Sequence, residues 1–402
     1  MERYSEYKDS GVKWLGEIPS HWEVMPLKSF IKFEKGKTPK EFSDENIGLP
    51  YLTMDYLRNR DNKIVKYPTA SIGLFKIEES EALVLWDGAN AGEFILSKKG
   101  YLGSTMAKIS GYKEYFNNLY FYYFLKMLEP TSKDFANGTT IPHFDASILI
   151  NYHYPIPPID EQIVIGSYLD AATSKIDKAI AMQQKMIDLL NERKQIIIQN
   201  AVTKGLDENV EMKDSGVEWI GMIPKHWEII KIKHLAKLQS GSNLTSNEIS
   251  DTGSYPVYGG NGLRGFYGSY NCEGSYVLIG RQGALCGNIN YAEDKFWATE
   301  HAVVCYPKKT YNTLWFGEVL RLMNLGQYSL ASAQPGLAVE RIKGLYVPNP
   351  SIEEQNKIAL FLKQNIGKID LYARHCQRQI TLLQERKQII INEVVTGKVK
   401  VS

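Results

Sequence analysis

The chain has 402 residues, of which 44% are hydrophobic and 23% are charged, and its formal net charge is only +2. This length exceeds one ordinary hydrophobic core and predicts two or more domains, and the composition excludes a disordered chain. The absence of any run of about eighteen apolar residues excludes a membrane-spanning helix, and the near-neutral charge does not by itself indicate a nucleic-acid-binding protein.

The first residues lack the basic and then apolar pattern of a secretory signal peptide. The four cysteines form no Cys-x-x-Cys pair, so we expect a reduced, cytoplasmic protein. A zinc site could be composed of Cys272, Cys286, His301 and Cys305, but their spacing matches no common ligand pattern. The favoured interpretation is that these cysteines are small buried hydrophobic residues, and no metal site is predicted.

A motif at the start of the chain returns near its middle. Both copies read Asp-Ser-Gly-Val-x-Trp-x-Gly-x-Ile-Pro-x-His-Trp, at residues 9–22 and 214–227. We call them the opening motifs. Glycine and proline at these spacings are typical of turns, and we predict that the tryptophans anchor them to apolar surfaces. These tryptophans are Trp14, Trp22, Trp219 and Trp227.

The first variable region, residues 24–158, is predicted to mix short strands with turns. Strands are expected at 83–86 and 94–97, and a helix is expected from Leu119 to Leu128, where Pro130 would end it. Prolines at the end of the region hold the chain extended.

A long helix is predicted next, because residues along 160–200 recur at alternating steps of three and four, the heptad pattern of a coiled coil. The predicted packing positions, which we call the seam, are Leu169, Ala172, Ile176, Ala179, Gln183, Met186, Leu190, Arg193 and Ile197. A second copy of this helix closes the chain and aligns without a gap. Its seam consists of Leu362, Asn365, Ile369, Tyr372, Cys376, Gln379, Leu383, Arg386 and Ile390.

The second variable region, residues 230–346, is richer in strands and glycine than the first. A strand is expected at 276–279, and a helix from Trp315 to Leu325 would match the helix of the first region. Residues 201–211 form the joint between the two halves.

The order of opening motif, variable region and long helix therefore occurs twice. Such a duplication predicts a pseudo-two-fold α+β molecule, in which two globular recognition modules are separated by a pair of long antiparallel coiled-coil helices. The predicted segments are a first module at 1–158, a helix at 159–205, a second module at 206–350 and a helix at 351–402.

None of the short motifs supports catalysis. Residues 260–265 fit Gly-x-Gly-x-x-Gly, but the sequence that follows does not form a helix, which a dinucleotide or methyl-donor site requires. We interpret this stretch as a mobile glycine-rich loop that carries Asn261 and Arg264. Gly36-Lys37-Thr38 resembles the end of a phosphate loop but lacks the required upstream glycine. The chain is predicted to be non-catalytic.

Polar loop residues remain as candidates for binding DNA. Arginine, asparagine and glutamine can read base edges, while lysine, threonine and backbone amides hold phosphates. A solvated loop is the ordinary interpretation of each one, and only their clustering on paired modules favours a function. The candidates are Lys37, Arg58, Arg60, Lys63, Asn90, Thr139, Thr140, His143, Asn261, Arg264, Arg281, Gln282, His301 and Gln334.

The doubled motifs resemble those of the DNA specificity subunit of type I restriction–modification enzymes, and the likeness covers the whole chain. It rests on the opening motifs, on Ile159-Asp160-Glu161-Gln162 with Ile352-Glu353-Glu354-Gln355, and on Glu-Arg-Lys-Gln-Ile-Ile-Ile at 192–198 and 385–391. The resemblance implies two target recognition domains joined by an antiparallel helical spacer. Each domain would read one half of a bipartite, asymmetric sequence in double-stranded DNA.

The resemblance also implies partners. Two methyltransferase subunits would supply S-adenosylmethionine, and two restriction subunits would use ATP and Mg²⁺, so that this chain itself binds no cofactor. The two long helices would be the spacer and much of the methyltransferase docking surface. The residues assigned to that role are Leu169, Ile176, Met186, Leu190, Ile197, Leu362, Ile369, Leu383 and Ile390.

Two alternatives from other classes stay open at this point. The chain could be a coiled-coil scaffold whose modules bind protein or glycan, or an autonomous methyltransferase. The second alternative conflicts with the absence of an Asn-Pro-Pro-aromatic or Asp-Pro-Pro-Tyr signature. A steep salt dependence of binding to duplex DNA would distinguish the specificity subunit from the scaffold.

Overall fold

The structure is a computed structural model, and it describes residues 2–29, 31–43, 45, 47–58, 65–111, 117–134, 142–283, 285–329 and 336–401. The chain forms two compact units. Unit 1 contains Met1–Gln183 with Arg378–Ser402, and unit 2 contains Gln184–Gln377. Each unit therefore includes one recognition module and part of both long helices. In the part of the chain that the structure describes, no helix has the length and apolarity needed to cross a membrane.

Unit 1 begins with an opening motif folded as a hairpin, followed by the first module. Its strands in chain order are β1 (Tyr7–Asp9), β2 (Glu17–Pro19), β3 (Glu23–Pro26), β4 (Ile31–Lys35), β5 (Phe42–Ser43), β6 (Tyr51–Leu52), β7 (Tyr67–Pro68), β8 (Lys76–Ile77), β9 (Ala82–Leu85), β10 (Phe94–Leu96), β11 (Gly100–Leu102), β12 (Met106–Gly111) and β13 (His153–Ile156). Its helices are α1 (Met54–Leu57), α2 (Asn118–Asp134), α3 (Ala146–Ile150) and the first part of α4 (Ile159–Lys204).

Unit 2 repeats this organisation. Its strands are β14 (Met212–Asp214), β15 (Met222–Pro224), β16 (Glu228–Lys231), β17 (Ala236–Ser240), β18 (Tyr255–Gly259), β19 (Gly262–Tyr267), β20 (Cys272–Glu273), β21 (Tyr276–Gly280), β22 (Ile289–Ala292), β23 (Lys295–Ala298), β24 (Ala302–Pro307) and β25 (Tyr346–Asn349). Its helices are α5 (Ile232–Leu235), α6 (Thr313–Leu322), α7 (Val339–Lys343) and most of α8 (Ile352–Val395).

Each module contains its own central, four-stranded antiparallel sheet, and the two sheets have the same strand order. The sequences do not reveal this likeness. The strand order is β10-β9-β12-β4 in the first module and β22-β21-β24-β17 in the second. Equivalent bonds join equivalent strands, since the amide of Gly36 donates to the Met106 carbonyl and that of Gly241 donates to the Ala302 carbonyl. The variable regions are therefore two versions of one framework.

One predicted helix end is wrong. The helix expected to stop before Pro130 continues as α2 to Asp134, with Pro130 inside it. An interior proline costs roughly 3 kcal/mol through the lost hydrogen bond and the steric clash. Leu128 and Ser132 are both buried, one on each side of the proline, and this packing keeps the last turn in place. The predicted strands near 83–86 and 94–97 and the helix near 315 are confirmed by β9, β10 and α6.

The two long helices are confirmed, and they are antiparallel. In unit 1 the Asp177 carboxylate lies 2.7 Å from Lys387 Nζ, and in unit 2 Asp370 lies 2.8 Å from Lys194 Nζ. From Asp177 to Lys194 the residue numbers of α4 increase, while those of their partners in α8 decrease by the same amount, from Lys387 to Asp370. The two helices therefore run in opposite directions. The two ion pairs occupy equivalent positions in the two copies of the repeat.

The phase of the predicted seam is wrong at five of its eight alternate positions, which are exposed, while Ala172, Ala179 and Asn365 are half-buried and the residue after each is at least as buried. Leu169, Ile176, Leu362, Ile369 and Ile390 are buried as expected, and Gln183, Leu190, Ile197, Cys376 and Leu383 are half-buried. The alternate positions lie one residue further along the chain than predicted. Met186, assigned to the seam, is 49% exposed, while its neighbour Ile187 is half-buried.

The same correction applies to the exposed residues Arg193, Tyr372, Gln379 and Arg386. The helices pack in steps of four and then three, and this phase places an isoleucine in the seam where the predicted phase placed Ala179, Met186, Asn365 or Gln379. The residues brought into the seam in this way are Ile180, Ile187, Ile366 and Ile380.

A glutamate and a glutamine at the start of each long helix hold the surrounding elements together. Glu161 accepts hydrogen bonds from Tyr4, from Trp22 Nε1 at 3.1 Å and from His21 at 2.8 Å. The neighbouring Gln162 is buried, donates to the Pro157 carbonyl at 2.9 Å and accepts from the Asn117 amide at 2.8 Å. One dipeptide thus joins the opening motif, the last strand of the module and the start of α2.

The second copy repeats this junction. Glu354 accepts from Trp227 Nε1 at 2.9 Å and from His226 at 2.8 Å, and Gln355 bonds the Pro350 carbonyl and the Asn312 amide. Burial alone would raise the pKa of Glu354, but hydrogen bonds from Trp227, His226 and Ser351 lower the pKa to about 2. The carboxylate is therefore ionised at neutral pH, as the positive end of the helix dipole favours.

The prediction for the tryptophans is correct in part. Trp22 and Trp227 are fully buried anchors of the opening motifs. Trp14 is 39% exposed, and its ring meets the edge of Tyr152 instead of entering the core.

The corrected seam gives a direct test with adjacent residues. Ile380→Ala removes a side chain that is 6% exposed and should destabilise unit 1 by about 2–3 kcal/mol. Gln379→Ala changes an exposed position and should be within about 0.5 kcal/mol of the unchanged protein. Thermal unfolding followed by circular dichroism measures both. Equal shifts for the two variants would contradict the corrected phase.

Candidate nucleic-acid interface

Each module presents a tight loop where a central strand of its sheet ends. The loop follows β9 in the first module and β21 in the second, and we call it the strand-end loop. The amide of Gly92 donates to the Leu85 carbonyl at 2.9 Å, and that of Gly287 donates to the Gly280 carbonyl at 2.8 Å. Both loops need a left-handed glycine near their start, at Gly88 and Gly283, with φ of 124° and 92°.

Two further segments lie against each strand-end loop. The amides of Trp86 and Arg281 donate at 2.8 Å to the carbonyls of Thr105 and His301, respectively. The carbonyls of the same two residues accept from the amides of Phe144 and Leu337. Bridges also pair Asp87 with His143 and Gln282 with Gly336. The modules thus place unlike side chains at the same points of one hydrogen-bonded framework.

In the first module these points contain a charged cluster. Asp87 lies 2.8 Å from Lys35 Nζ and 2.6 Å from His143 Nδ1. Partial burial would raise the pKa of Asp87, but the hydrogen bonds from Lys35 and His143 outweigh that effect and lower it. The side chains of Lys35 and His143 are 48% and 59% exposed, so the cluster presents a lysine and an imidazole to solvent.

In the second module the equivalent points line a polar pocket of about 490 Å³, which we call the second-module pocket. It brings together four residues that the sequence singled out. Its lining consists of Gly260, Asn261, Leu263, Arg264, Gln282, Gly283 and His301. Arg281 is next to it in the chain, is half-buried and donates from its guanidinium to Ser240 Oγ at 3.3 Å.

The Gly-x-Gly-x-x-Gly stretch is the turn of a β-hairpin. Gly260 and Asn261 connect β18 to β19, residues 262–265 begin β19, and Gly262 has a φ of 95°. The interpretation as a loop is wrong, because β18 and β19 pair on both sides of Gly260 and Asn261, with a shift of register between Val257 and Tyr258. Gly260 also packs closely, since a Cβ there would lie 3.0 Å from the Gln282 carbonyl oxygen. No helix follows the glycines, which agrees with the exclusion of a dinucleotide site.

The other candidates of the first module are not gathered at one point. Lys37 is exposed just after β4, and Asn90 is exposed in the strand-end loop. Arg58 is instead in an ion pair with Glu93, where the two side chains are only 19% and 17% exposed. That pairing argues against a base contact from Arg58, because the guanidinium is partly buried and already donates to Glu93 from two of its nitrogens. Arg60, Lys63, Thr139, Thr140 and Gln334 lie outside the described residues.

Sequence reasoning missed Lys35, which ends β4 beside Asp87. A lysine at the end of a strand and before a glycine was the available signal. Among the described residues, no cluster of three or more His, Cys, Asp or Glu side chains could hold a metal ion. Cys305 is fully buried, and burial raises the pKa of its thiol.

The family of type I restriction modification DNA specificity domains matches residues 19–186 and 224–382. The chain belongs to this family. The MjaVIII specificity subunit of Methanocaldococcus jannaschii is 37% identical to it over 252 residues, which are 61% of this chain and 57% of that relative. The EcoprrI specificity subunit of Escherichia coli is 25% identical over 389 residues, which are 90% of this chain and 94% of that one.

A solved structure has the same fold as this chain. It comes from work on complex assembly and conformational transition of the type I R-M system, and its TM-score to this chain is 0.68 at 11% identity. The match covers 95% of this chain and 99% of that one. The α+β architecture with two modules and two long helices is therefore that of the family, and the expected recognition of DNA sequence is confirmed at the level of the family.

The Arg58–Glu93 pair in this specificity subunit gives a prediction that separates a structural role from a DNA contact. Arg58→Ala and Glu93→Ala should each destabilise unit 1 by about 1–2 kcal/mol, because each leaves its partly buried partner unpaired. Thermal unfolding of the two single variants and the double variant gives the coupling energy.

The control for this prediction is duplex binding. If Arg58 only supports the fold, the two single variants should change the affinity for DNA equally. A loss of DNA affinity with Arg58→Ala but not with Glu93→Ala would show that the guanidinium contacts DNA after all.

Proposed function

We propose that this chain is the non-catalytic specificity subunit of a type I restriction–modification complex, and that each module reads one half of a bipartite, asymmetric DNA target. The observation that carries the proposal is the shared framework with unlike side chains. Lys35, Asp87 and His143 occupy one set of positions in the first module, while Ser240, Gln282 and Gly336 occupy the same set in the second. Two equal folds with different chemistry at the same points would recognise two different short sequences.

The chemistry at these points fits duplex DNA. Lysine and protonated histidine bind phosphates, and glutamine, asparagine and arginine read base edges in the major groove. The near-neutral net charge of +2 is compatible with this function if a partner also contacts the DNA backbone. No catalytic motif was found in the sequence, so methyl transfer, cleavage and translocation are assigned to partners that bring S-adenosylmethionine, ATP and Mg²⁺.

The long helices offer a surface for those partners. In unit 2, Leu189 and Ile196 of α4 are 49% and 51% exposed, and in unit 1 the equivalent Leu382 and Ile389 of α8 are 43% and 54% exposed. A leucine and an isoleucine one heptad apart are thus exposed in each unit. Two equivalent apolar surfaces would bind two copies of one partner, and we assign them to the two methyltransferase subunits. Two restriction subunits would complete the complex.

The modularity of the proposed function can be tested by exchange. Replacing residues 24–158 with the equivalent region of another family member should change one half of the target and leave the other half unaltered, since each module has its own core. Sequencing the methylated sites in cells that contain the variant and its partner subunits reads out both halves.

Two outcomes would contradict this proposal. A change in both halves together would show that the modules are not independent. Binding to duplex DNA that does not weaken steeply with salt would favour the scaffold alternative.

A second prediction concerns the gap between the two half-sites, which we propose is set by the length of the helices. α4 and α8 each contribute residues to both units. One heptad inserted near Gln183 and another near Cys376 keep the seam in phase and lengthen the helices by roughly 10 Å. That is about three base pairs, and it turns the second half-site by roughly 100°.

The extended protein should therefore select a longer gap or lose simultaneous binding of both halves. Selection from a duplex library with randomised gap lengths measures the preferred gap, and a variant with only the Gln183 insertion serves as an out-of-register control. An unchanged gap at full affinity would show that the helices do not set the spacing, and the joint at 201–211 would become the better candidate.

A further inference from the structure

We propose that Gln282 reads one base pair of the second half-site and that the base it recognises is adenine. This inference rests on the proposed function, because it assigns a residue and a base to one of the two recognition modules. It follows from the hydrogen bonds that the polar side chains of the second-module pocket already make.

Three of the four polar side chains in this pocket have a partner. Asn261 Oδ1 accepts from Asn288 at 3.1 Å, Arg264 donates to Ser246 at 3.3 Å, and His301 lies 3.1 Å from the Glu300 carboxylate. Arg264 is further held by Gly259, where an added Cβ would lie 2.4 Å from its Cδ. Each of these contacts restricts the directions in which the three side chains can turn toward a base, although each side chain keeps further donor atoms.

Gln282 differs from its neighbours because its amide is exposed and makes no hydrogen bond to any described residue. Its backbone, by contrast, is fixed by the bridge to Gly336 and by the flanking bonds of Arg281 to His301 and Leu337. A rigid backbone with a free side chain loses only side-chain entropy on binding. This arrangement is expected of a residue whose backbone is preorganised for contact with a ligand.

The chemistry of a primary amide selects the base. Its oxygen and its NH₂ group lie side by side, so it can accept from N6 and donate to N7 of adenine at the same time. In the major groove guanine offers two acceptors, thymine one acceptor and cytosine one amino group, so none of the three satisfies both atoms of the amide. Adenine is therefore the base that leaves no polar atom of Gln282 unpaired.

The equivalent residue of the first module supports the assignment of Gln282 to a base, because its side chain is already bonded. Asp87 occupies the position equivalent to Gln282, and both its oxygens are bonded, one to Lys35 and the other to His143. Asp87 therefore has no unpaired oxygen for a base, and the exposed groups at that place are the Lys35 ammonium and the His143 imidazole. The same point of the framework would read a base in the second module and hold a phosphate in the first.

The test uses Gln282→Glu in the full chain together with its methyltransferase subunit, with binding selected from a library of randomised duplexes. A carboxylate has no donor for N7 of adenine but accepts from N4 of cytosine. The variant should lose about 5- to 150-fold in affinity for the adenine-containing site and prefer cytosine at that one position. The first half of the target should stay the same.

Two further variants complete the design. Gln282→Ala should reduce discrimination at the same position without a new preference. Gln364→Glu makes the same charge change on an exposed face of α8 within unit 2 and should leave the selected sequence unaltered. Thermal unfolding should be unchanged for all three variants, because both positions are exposed.

The outcomes are distinguishable. A uniform loss of affinity for every sequence with Gln282→Ala would overturn the inference, because the amide would then hold a phosphate. A changed preference at a position where the unaltered protein selects a base other than adenine would overturn the assignment of the base. If the unaltered protein selects no sequence at all, the proposed function itself fails, and this inference fails with it.

Discussion

The hydrogen bonds of the Glu-Gln pair at the start of each long helix are the constraint on which the rest of the structure depends. Gln162 and Gln355 are buried and satisfy backbone groups of two different elements, so replacing either would leave buried polar groups unpaired. Glu161 and Glu354 add the tryptophan and histidine of the opening motif. The dipeptide fixes where a module ends, where its helix starts and how the opening motif covers the joint.

The order of domains and long helices could be predicted from the sequence because the sequence contains an internal repeat. Repetition identified both helices, both opening motifs and the existence of two modules, and a single copy would have been much less informative. The errors are those that local patterns produce. Pro130 is a helix breaker in isolation, but tertiary packing kept α2 intact. The predicted seam differs from the observed one because a heptad pattern alone does not show whether the first step is three or four residues. The half-buried Ile187 and the buried Ile380 show that it is four.

The candidate site was predictable in its residue types but not in its grouping. Asn261, Arg264, Gln282 and His301 come from three separate segments, and only the pairing of strands brings them to one pocket. The equivalence of Asp87 and Gln282 could not be read from the sequence either, because it is defined by backbone hydrogen bonds and a bridge, which do not depend on side-chain identity. Arg58 shows the converse, since an arginine that the sequence places in a polar loop can be held in an ion pair within the fold.

The framework around the strand-end loops is formed by main-chain bonds, from Arg281 to His301 and Leu337 in one module and from Trp86 to Thr105 and Phe144 in the other. The framework itself does not depend on the side chains at the neighbouring positions 87 and 282, so substitutions there can leave it intact. Such a surface is evolvable. A lineage can acquire a new recognition surface through a few substitutions, and each intermediate remains a folded protein.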